Sequence, residues 1–324
     1  PTVQYYDEYP VGHPERISTP EMKMLESREY YGLVKCKVLP PTSLYHPVLP
    51  QKMGGKLMFS LCYTCGVKCH QGECDHDDSQ RALVGTWATP ELYKAMDMGY
   101  VVQSVYEVWH WETKTDQLFK GYVSRFLKIK QEASGWPEWC KSESDKRQYI
   151  RDYNDKMGIE LNYAKIIKND GLRAMAKLCL NNLWGKFGQS PFKPQTAFIK
   201  TQEQLYALMA NDKIEDVDLN IINEDCIEAT YTEKHCHIPN QKNANIAIAI
   251  FTTAQARVRL YSALNKLDRQ VLYYDTDSVV FADGKESMEL GDMLGDWTDE
   301  LDGAKIKSFV SGGPKNYGYK LDNG

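Results

Sequence analysis

The 324-residue sequence has no apolar run of membrane-spanning length, no excess of positive charge, and no internal repeat or low-complexity tract. Without 18 consecutive apolar residues a transmembrane helix is not expected. The start, Pro1-Thr2-Val3-Gln4, lacks the basic and apolar regions of a signal peptide. The formal net charge of -5 and pI near 5.9 remove any global basic signature, so contact with nucleic acid must come from a local surface. These absences imply a soluble intracellular protein with no membrane partner, nuclear if the genome is eukaryotic. Both ends read as cut. The chain opens without Met, and Lys320-Leu321-Asp322-Asn323-Gly324 offers no closing helix or polar tail.

What is present is enough apolar material, 42% of residues, for two lobes or more. Nine cysteines are an odd number, and Cys62, Cys65, Cys69 and Cys74 crowd together, which favours metal binding in a reducing compartment over a disulfide framework. Eight prolines before residue 51, seven of them from Pro10 to Pro50, predict short strands and loops there. Leu83 to Trp87 reads as a strand. Thr89-Pro90-Glu91 reads as a capped helix start, with the helix ending near Gly99, and Tyr100 to Trp111 reads as a second strand, giving a β-α-β unit. Apolar residues recur at helical spacing from Leu118 to Gln131, with Lys120, Arg125, Lys128 and Lys130 interleaved. Further helices are expected from Ser144 to Lys156 and from Gly171 to Trp184. Residues 189–245 are polar and acidic and read as an insertion. A helix follows from Ile246 to Leu267, and then a strand, tight turn and strand from Val271 to Phe281.

That last segment is Val271-Leu272-Tyr273-Tyr274-Asp275-Thr276-Asp277-Ser278-Val279-Val280-Phe281. Two carboxylates one residue apart repel unless divalent cations lie between them and a further acid. Two-metal nucleotidyl transfer needs carboxylates that hold ions roughly 3.5 to 4 Å apart. The plainer reading is a hairpin whose acids satisfy turn amides. The string resembles the Tyr-x-Asp-Thr-Asp-Ser motif of family B DNA polymerases and differs from the Tyr-x-Asp-Asp of reverse transcriptases. The resemblance gives Asp277 the stricter role of magnesium ligand and Asp275 the second.

Arg173, Lys177 and Asn181 recur at four-residue steps and share one helical face. Two cations on one face suit a triphosphate, although a solvated basic face is the commoner use of such spacing. Lys177-Leu178-Cys179-Leu180-Asn181-Asn182-Leu183-Trp184-Gly185 resembles the family's Lys-x-x-x-Asn-Ser-x-Tyr-Gly fingers motif, with Asn182 in place of Ser and Trp184 in place of Tyr. Nucleotide binding is therefore expected at Arg173, Lys177, Asn181 and Trp184. Trp184 keeps a stacking plane but lacks a hydroxyl.

Further matches extend the resemblance. Phe251 to Arg257 forms a helix before the acidic turn, as the family has, with Thr253 and Arg257 facing template or palm. Lys315-Asn316-Tyr317 resembles the Lys-x-Tyr element, whose lysine contacts the primer end, and Lys128 and Lys130 join Lys315 and Tyr317 as expected DNA contacts. The insertions on either side of the nucleotide helix look like those of the protein-primed subgroup. Gly85-Thr86-Trp87, Glu107-Val108-Trp109-His110 and a helix start at Leu180-Asn181 most resemble polymerases of Maverick/Polinton transposons and related viruses. The family's first acidic strand, which carries a third metal carboxylate, precedes the segment similar to Tyr9-Pro10-Val11-Gly12-His13-Pro14, and so falls upstream of Pro1.

Cys62-x-x-Cys65, Cys69-His70 and Cys74-x-His76 offer six soft ligands within fifteen residues. Zinc takes four. Two short pairs on separate turns favour Cys62, Cys65, Cys74 and His76, with Cys69 and His70 as alternates, or free thiols if no ion binds.

Together these features predict an α+β polymerase palm, an antiparallel sheet with helices, plus helical fingers and two inserted subdomains. The expected order is 1–24 leaving the first acidic strand, 25–117 the first insertion, 118–188 fingers, 189–245 the second insertion, 246–308 palm, and 309–324 the start of a thumb-side segment. The expected activity is a DNA-directed DNA polymerase using primer-template DNA, dNTPs and two Mg2+, with structural Zn2+ and a terminal protein as possible primer. The alternative is an inactive, zinc-containing binding relic of such an enzyme.

Overall fold

The computed structural model describes residues 1–190, 193–234, 236 and 244–323. It divides into two compact units. The first holds residues 1–183 and 250–324, the second 184–249.

In the first unit, an antiparallel four-stranded sheet runs in the order Glu15–Ile17, Val101–His110, Gly32–Leu39, Leu83–Ala88. The central strand Gly32–Leu39 alternates strictly: Val34, Cys36 and Val38 are fully buried while Lys35 points to solvent. Gly32 lies so close to the neighbouring strand that a Cβ there would sit 1.8 Å from the Trp109 carbonyl oxygen. Leu83–Ala88 and Val101–His110 both pair antiparallel to this strand, so the expected β-α-β unit forms with a third strand between its two strands. Its helix, Thr89–Asp97, places Leu92 and Ala95 in the core with Trp87, Leu83, Tyr100 and Val108. Thr89 is not the cap. It is the first helical residue, and its hydroxyl accepts the Gly32 amide at 3.0 Å instead.

Three helices follow, Lys120–Glu132, Glu143–Met157 and Asp170–Asn182. The middle one starts at a capping box in which Ser142 accepts the Asp145 amide and Asp145 accepts the Ser142 amide. The third is capped by Asn169 and buries only Ala176 and Leu180, one narrow stripe, against the first. The second unit contains a three-stranded antiparallel sheet in the order Ile214–Asn223, Cys226–Glu233, Gln195–Ile199, with the helix Gln202–Met209. Two short helices inside the proline-rich start, Thr2–Tyr6 and Met22–Glu26, were not expected from composition.

The Ile246–Leu267 helix carries the chain back into the first unit. From Phe251 onward it is keyed to the amino-terminal segment. Thr252 hydrogen-bonds the Tyr9 hydroxyl (3.0 Å), Gln255 donates to the Glu8 carbonyl (2.6 Å), Arg259 pairs with both Asp7 oxygens, and the Tyr261 hydroxyl donates to the His46 carbonyl (3.0 Å). Its last turns, through Leu264 and Leu267, pack on Val271, Val279 and Phe281 of the next hairpin. Among the described residues, no helix is long and apolar enough to cross a membrane.

Candidate active site

The strands Val271–Asp275 and Ser278–Phe281 pair antiparallel, with Asp275 opposite Ser278 and a register shift near Leu272. Only Thr276 and Asp277 lie between them. Thr276 has φ 53, and the Asp277 amide donates to the Asp275 carbonyl at 2.6 Å, the i to i+2 bond of the rarer γ-turn. A β-branched residue in the left-handed region is strained by roughly 1–3 kcal/mol. The strain exposes Asp277 and leaves Asp275 half-buried beside it.

Asp275 receives two donors. The Thr276 hydroxyl donates to Oδ1 (2.9 Å) and the Lys315 ammonium to Oδ2 (2.7 Å). Lys315, first, and Thr276 hold the Asp275 carboxyl below the usual range, and the same hydrogen bond raises the Lys315 ammonium. Lys315 sits in the turn of a second hairpin, Ile306–Gly313 with Asn316–Leu321, at φ 57. Its amide donates to the Tyr273 hydroxyl (2.8 Å), and Tyr317 packs on Tyr273 with ring centroids 4.8 Å apart and on Phe309 at 5.8 Å. The two hairpins are thus joined by an aromatic cluster beneath an ion pair. Pro1 lies within electrostatic reach of Asp277. Among the described residues no third acid gathers with Asp275 and Asp277.

A second charged locus forms between helices. Burial lowers the Lys130 ammonium, and Arg173 and Lys177 across the helix pair lower it further. Arg173 Nε donates to the Ser134 hydroxyl (3.1 Å), whose own proton goes to the Lys130 carbonyl (2.8 Å), so one serine links both helices. Asn181 is exposed on the same face as Arg173 and Lys177. Trp184 belongs to the second unit, in the turn after the helix, half-buried. Lys128 lies 3.9 Å from the buried Glu132 carboxylate. The Thr253 hydroxyl donates to the Ile250 carbonyl (3.0 Å).

Arg257, expected to face template or palm, is engaged by protein. Its Nε and Nη2 bind both oxygens of Glu91, at 2.6 and 3.0 Å. Glu91 is 2% exposed in the first turn of the Thr89–Asp97 helix. Burial raises its carboxyl while Arg257 opposes that shift. The pair ties the long helix to the sheet's helix. Sequence reasoning missed Glu91, because the partners are 166 residues apart and no spacing links them.

Cys62, Cys65, Cys74 and His76 converge, their ligand atoms all within 4.8 Å of one another. Cys69 is exposed, and His70 Nε2 instead meets the Glu73 carbonyl at 3.1 Å.

An antiparallel hairpin with paired acids, a docked lysine hairpin and a cationic helix pair form an α+β arrangement of the polymerase class. The fold is similar to that of Phi29 DNA polymerase complexed with primer-template DNA, with TM-score 0.57 and 16% identity over 99% of this chain and 43% of that one. Phi29 DNA polymerase complexed with single-stranded DNA gives TM-score 0.55 at 16% identity, over the same shares of the two chains. The chain matches the family DNA polymerase type B, organellar and viral, over residues 1–146 and 136–269, and it belongs to that family. A "Probable DNA polymerase" from Neurospora intermedia is 26% identical over 149 residues, 44% of this chain and 14% of that protein. The chain therefore spans less than half of the relatives it matches.

Proposed function

We propose that this chain supplies palm and fingers to a DNA-directed DNA polymerase that extends a primer by two-metal phosphoryl transfer. The observation that carries the proposal is the strained turn that presents Asp275 and Asp277 side by side with Lys315 against them. Two carboxylates, with substrate phosphates to complete the shell, are the donor set magnesium takes, so the residues fit that ion. Asp277 and Asp275 would hold it. Magnesium, when bound, supplies charge stabilisation at the attacking and leaving oxygens. The primer 3′-hydroxyl attacks the α-phosphate of a dNTP. A new P–O bond forms, the α–β bond breaks, pyrophosphate leaves and the hydroxyl proton passes to solvent.

Lys130, expected from the sequence among the DNA contacts, lies beside Arg173 and Lys177, and the three neutralise the triphosphate, with Asn181 addressing the sugar. Trp184, in the second unit, is the residue to which the family resemblance gives sugar and base. Lys128, Thr253, Lys315 and Tyr317 serve primer-template DNA, chiefly through its backbone. Arg257, engaged by Glu91, instead holds the palm helix in place. Priming by a terminal protein, in a virus or mobile element, belongs to the same proposal. Support for it comes from the family's organellar and viral membership and from the polar segment after the nucleotide helix. The Cys62–His76 cluster supplies no step of this reaction.

That just two acids gather at the turn among the described residues favours a second reading for this chain by itself, a DNA-binding relic without activity. Primer extension separates the two. The chain and a version extended upstream through an acidic strand are each compared with Asp277→Asn. The polymerase reading requires extension by the longer version and its loss in Asp277→Asn. Extension untouched by Asp277→Asn overturns the metal assignment, and an inert longer version that still binds DNA establishes the relic.

A further inference from the structure

Between Met53 and Arg81 the chain runs through 27 residues of which Cys62 alone is buried. A segment with so little core cannot offset its own ordering entropy by apolar burial. Yet its path is defined at both ends. Gly66 packs so tightly on Met53, a member of the main core, that a Cβ would come within 2.3 Å of the Met53 sulfur. At the far end Asp77 and Gln80 form a capping box, the Thr64 hydroxyl donates to the Gln80 carbonyl (2.9 Å), and the buried Arg81 donates to the Pro40 carbonyl (2.7 Å).

In the middle, four ligand atoms meet. His76 Nδ1 lies 3.6 Å from Cys62 Sγ, 3.4 Å from Cys65 Sγ and 3.5 Å from Cys74 Sγ. A tetrahedral ion with Zn–S near 2.3 Å and Zn–N near 2.0 Å has an S···N edge of about 3.5 Å. Cys62 caps the Tyr63–Lys68 helix, and its sulfur accepts the Cys65 amide at 3.4 Å, which fixes the sulfur's position at the helix start. Cys69 ends that helix at φ 51 and turns the chain so that residues 74–76 return to the first pair.

We infer that Cys62, Cys65, Cys74 and His76 bind one zinc ion that staples residues 54–80 to the sheet. All four positions are filled by protein, so no site remains for an activated water and the ion is structural. Cys69 and His70 take no part. The inference stands apart from the polymerase reading, since it uses none of the residues assigned to nucleotide or DNA.

Metal analysis of the purified full chain should find one zinc per chain. Exchange for Co2+ should give the intense visible bands of a tetrahedral site together with thiolate charge transfer. Cys65→Ser and His76→Ala should lose both signals, and Cys69→Ser and His70→Ala should keep both. Stripping zinc with a chelator should open tryptic cleavage after Lys56 and Lys68 while the rest of the chain stays intact. Absence of zinc together with absence of a tetrahedral cobalt spectrum overturns the site. Loss of the spectrum in Cys69→Ser with retention in Cys65→Ser overturns the ligand set. Unchanged cleavage after stripping overturns the stapling role.

Discussion

Asp275 and Lys315 make the acidic turn sensitive to pH in opposite directions. The Asp275 carboxyl is lowered on folding, so its contribution is complete above the ordinary value of about 3.9 and is lost as pH falls through the folded value. The Lys315 ammonium is raised, so its contribution is complete below about 10.4 and is lost as pH rises through the folded value. The contact between the hairpins should therefore be insensitive to pH across neutrality. Carboxyl NMR should read Asp275 below the usual range and return it upward in Lys315→Gln, and an unmoved value removes the ion pair. Lys130 has the reverse sign. Its ammonium is lowered by burial and by Arg173 and Lys177, so while charged it opposes folding, and the opposition fades as pH rises through its folded value. A bound phosphate reverses this, and dNTP affinity should fall over that pH range. Lys130→Gln should flatten the dependence and weaken binding on the order of tenfold or more, as a charge-assisted contact implies. Thr276→Gly should relieve the turn by up to about 1 kcal/mol net of glycine's entropy, read as a higher unfolding midpoint, while slowing extension in the longer enzyme because the tip loosens.

The Glu91–Arg257 bridge belongs to the scale of elements, since it joins two helices. Breaking it from one side leaves a buried charge, and Arg257→Ala should cost about 3–5 kcal/mol in urea unfolding. The apolar pair Glu91→Leu with Arg257→Met should recover most of that. DNA affinity of the double variant should match the parent, and a loss there would return Arg257 to the template. Periodicity made the larger elements legible. The helix expected from Ile246 to Leu267 has those bounds, and that expected from Ser144 to Lys156 runs from Glu143 to Met157, because helical spacing is a local pattern. The hairpin at Val271–Phe281 and the β-α-β unit were equally local patterns. Thr89 misled because a threonine before proline suits a cap as well as a first turn, and only the distant Gly32 amide decides between them. Lys315 on Asp275, Tyr317 on Tyr273 and Lys130 beside Arg173 are juxtapositions made by tertiary packing, for which a linear sequence carries no spacing rule.

At the scale of the molecule, the proposed role on DNA requires an acidic chain to concentrate its cations locally. The logarithm of affinity for primer-template should fall linearly with the logarithm of salt concentration, and Lys128→Gln or Lys315→Gln should each reduce the slope by about one, equally for every DNA sequence. A slope unchanged by both would remove them from the DNA surface. The bidentate bridge between Glu91 and Arg257 has a consequence in descent as well as in stability. A lineage that loses the arginine keeps a buried, unpaired acid, and one that loses the acid leaves the half-buried arginine without its partner. Related chains should therefore inherit these two positions as a unit, and aligned relatives should carry both charges or neither.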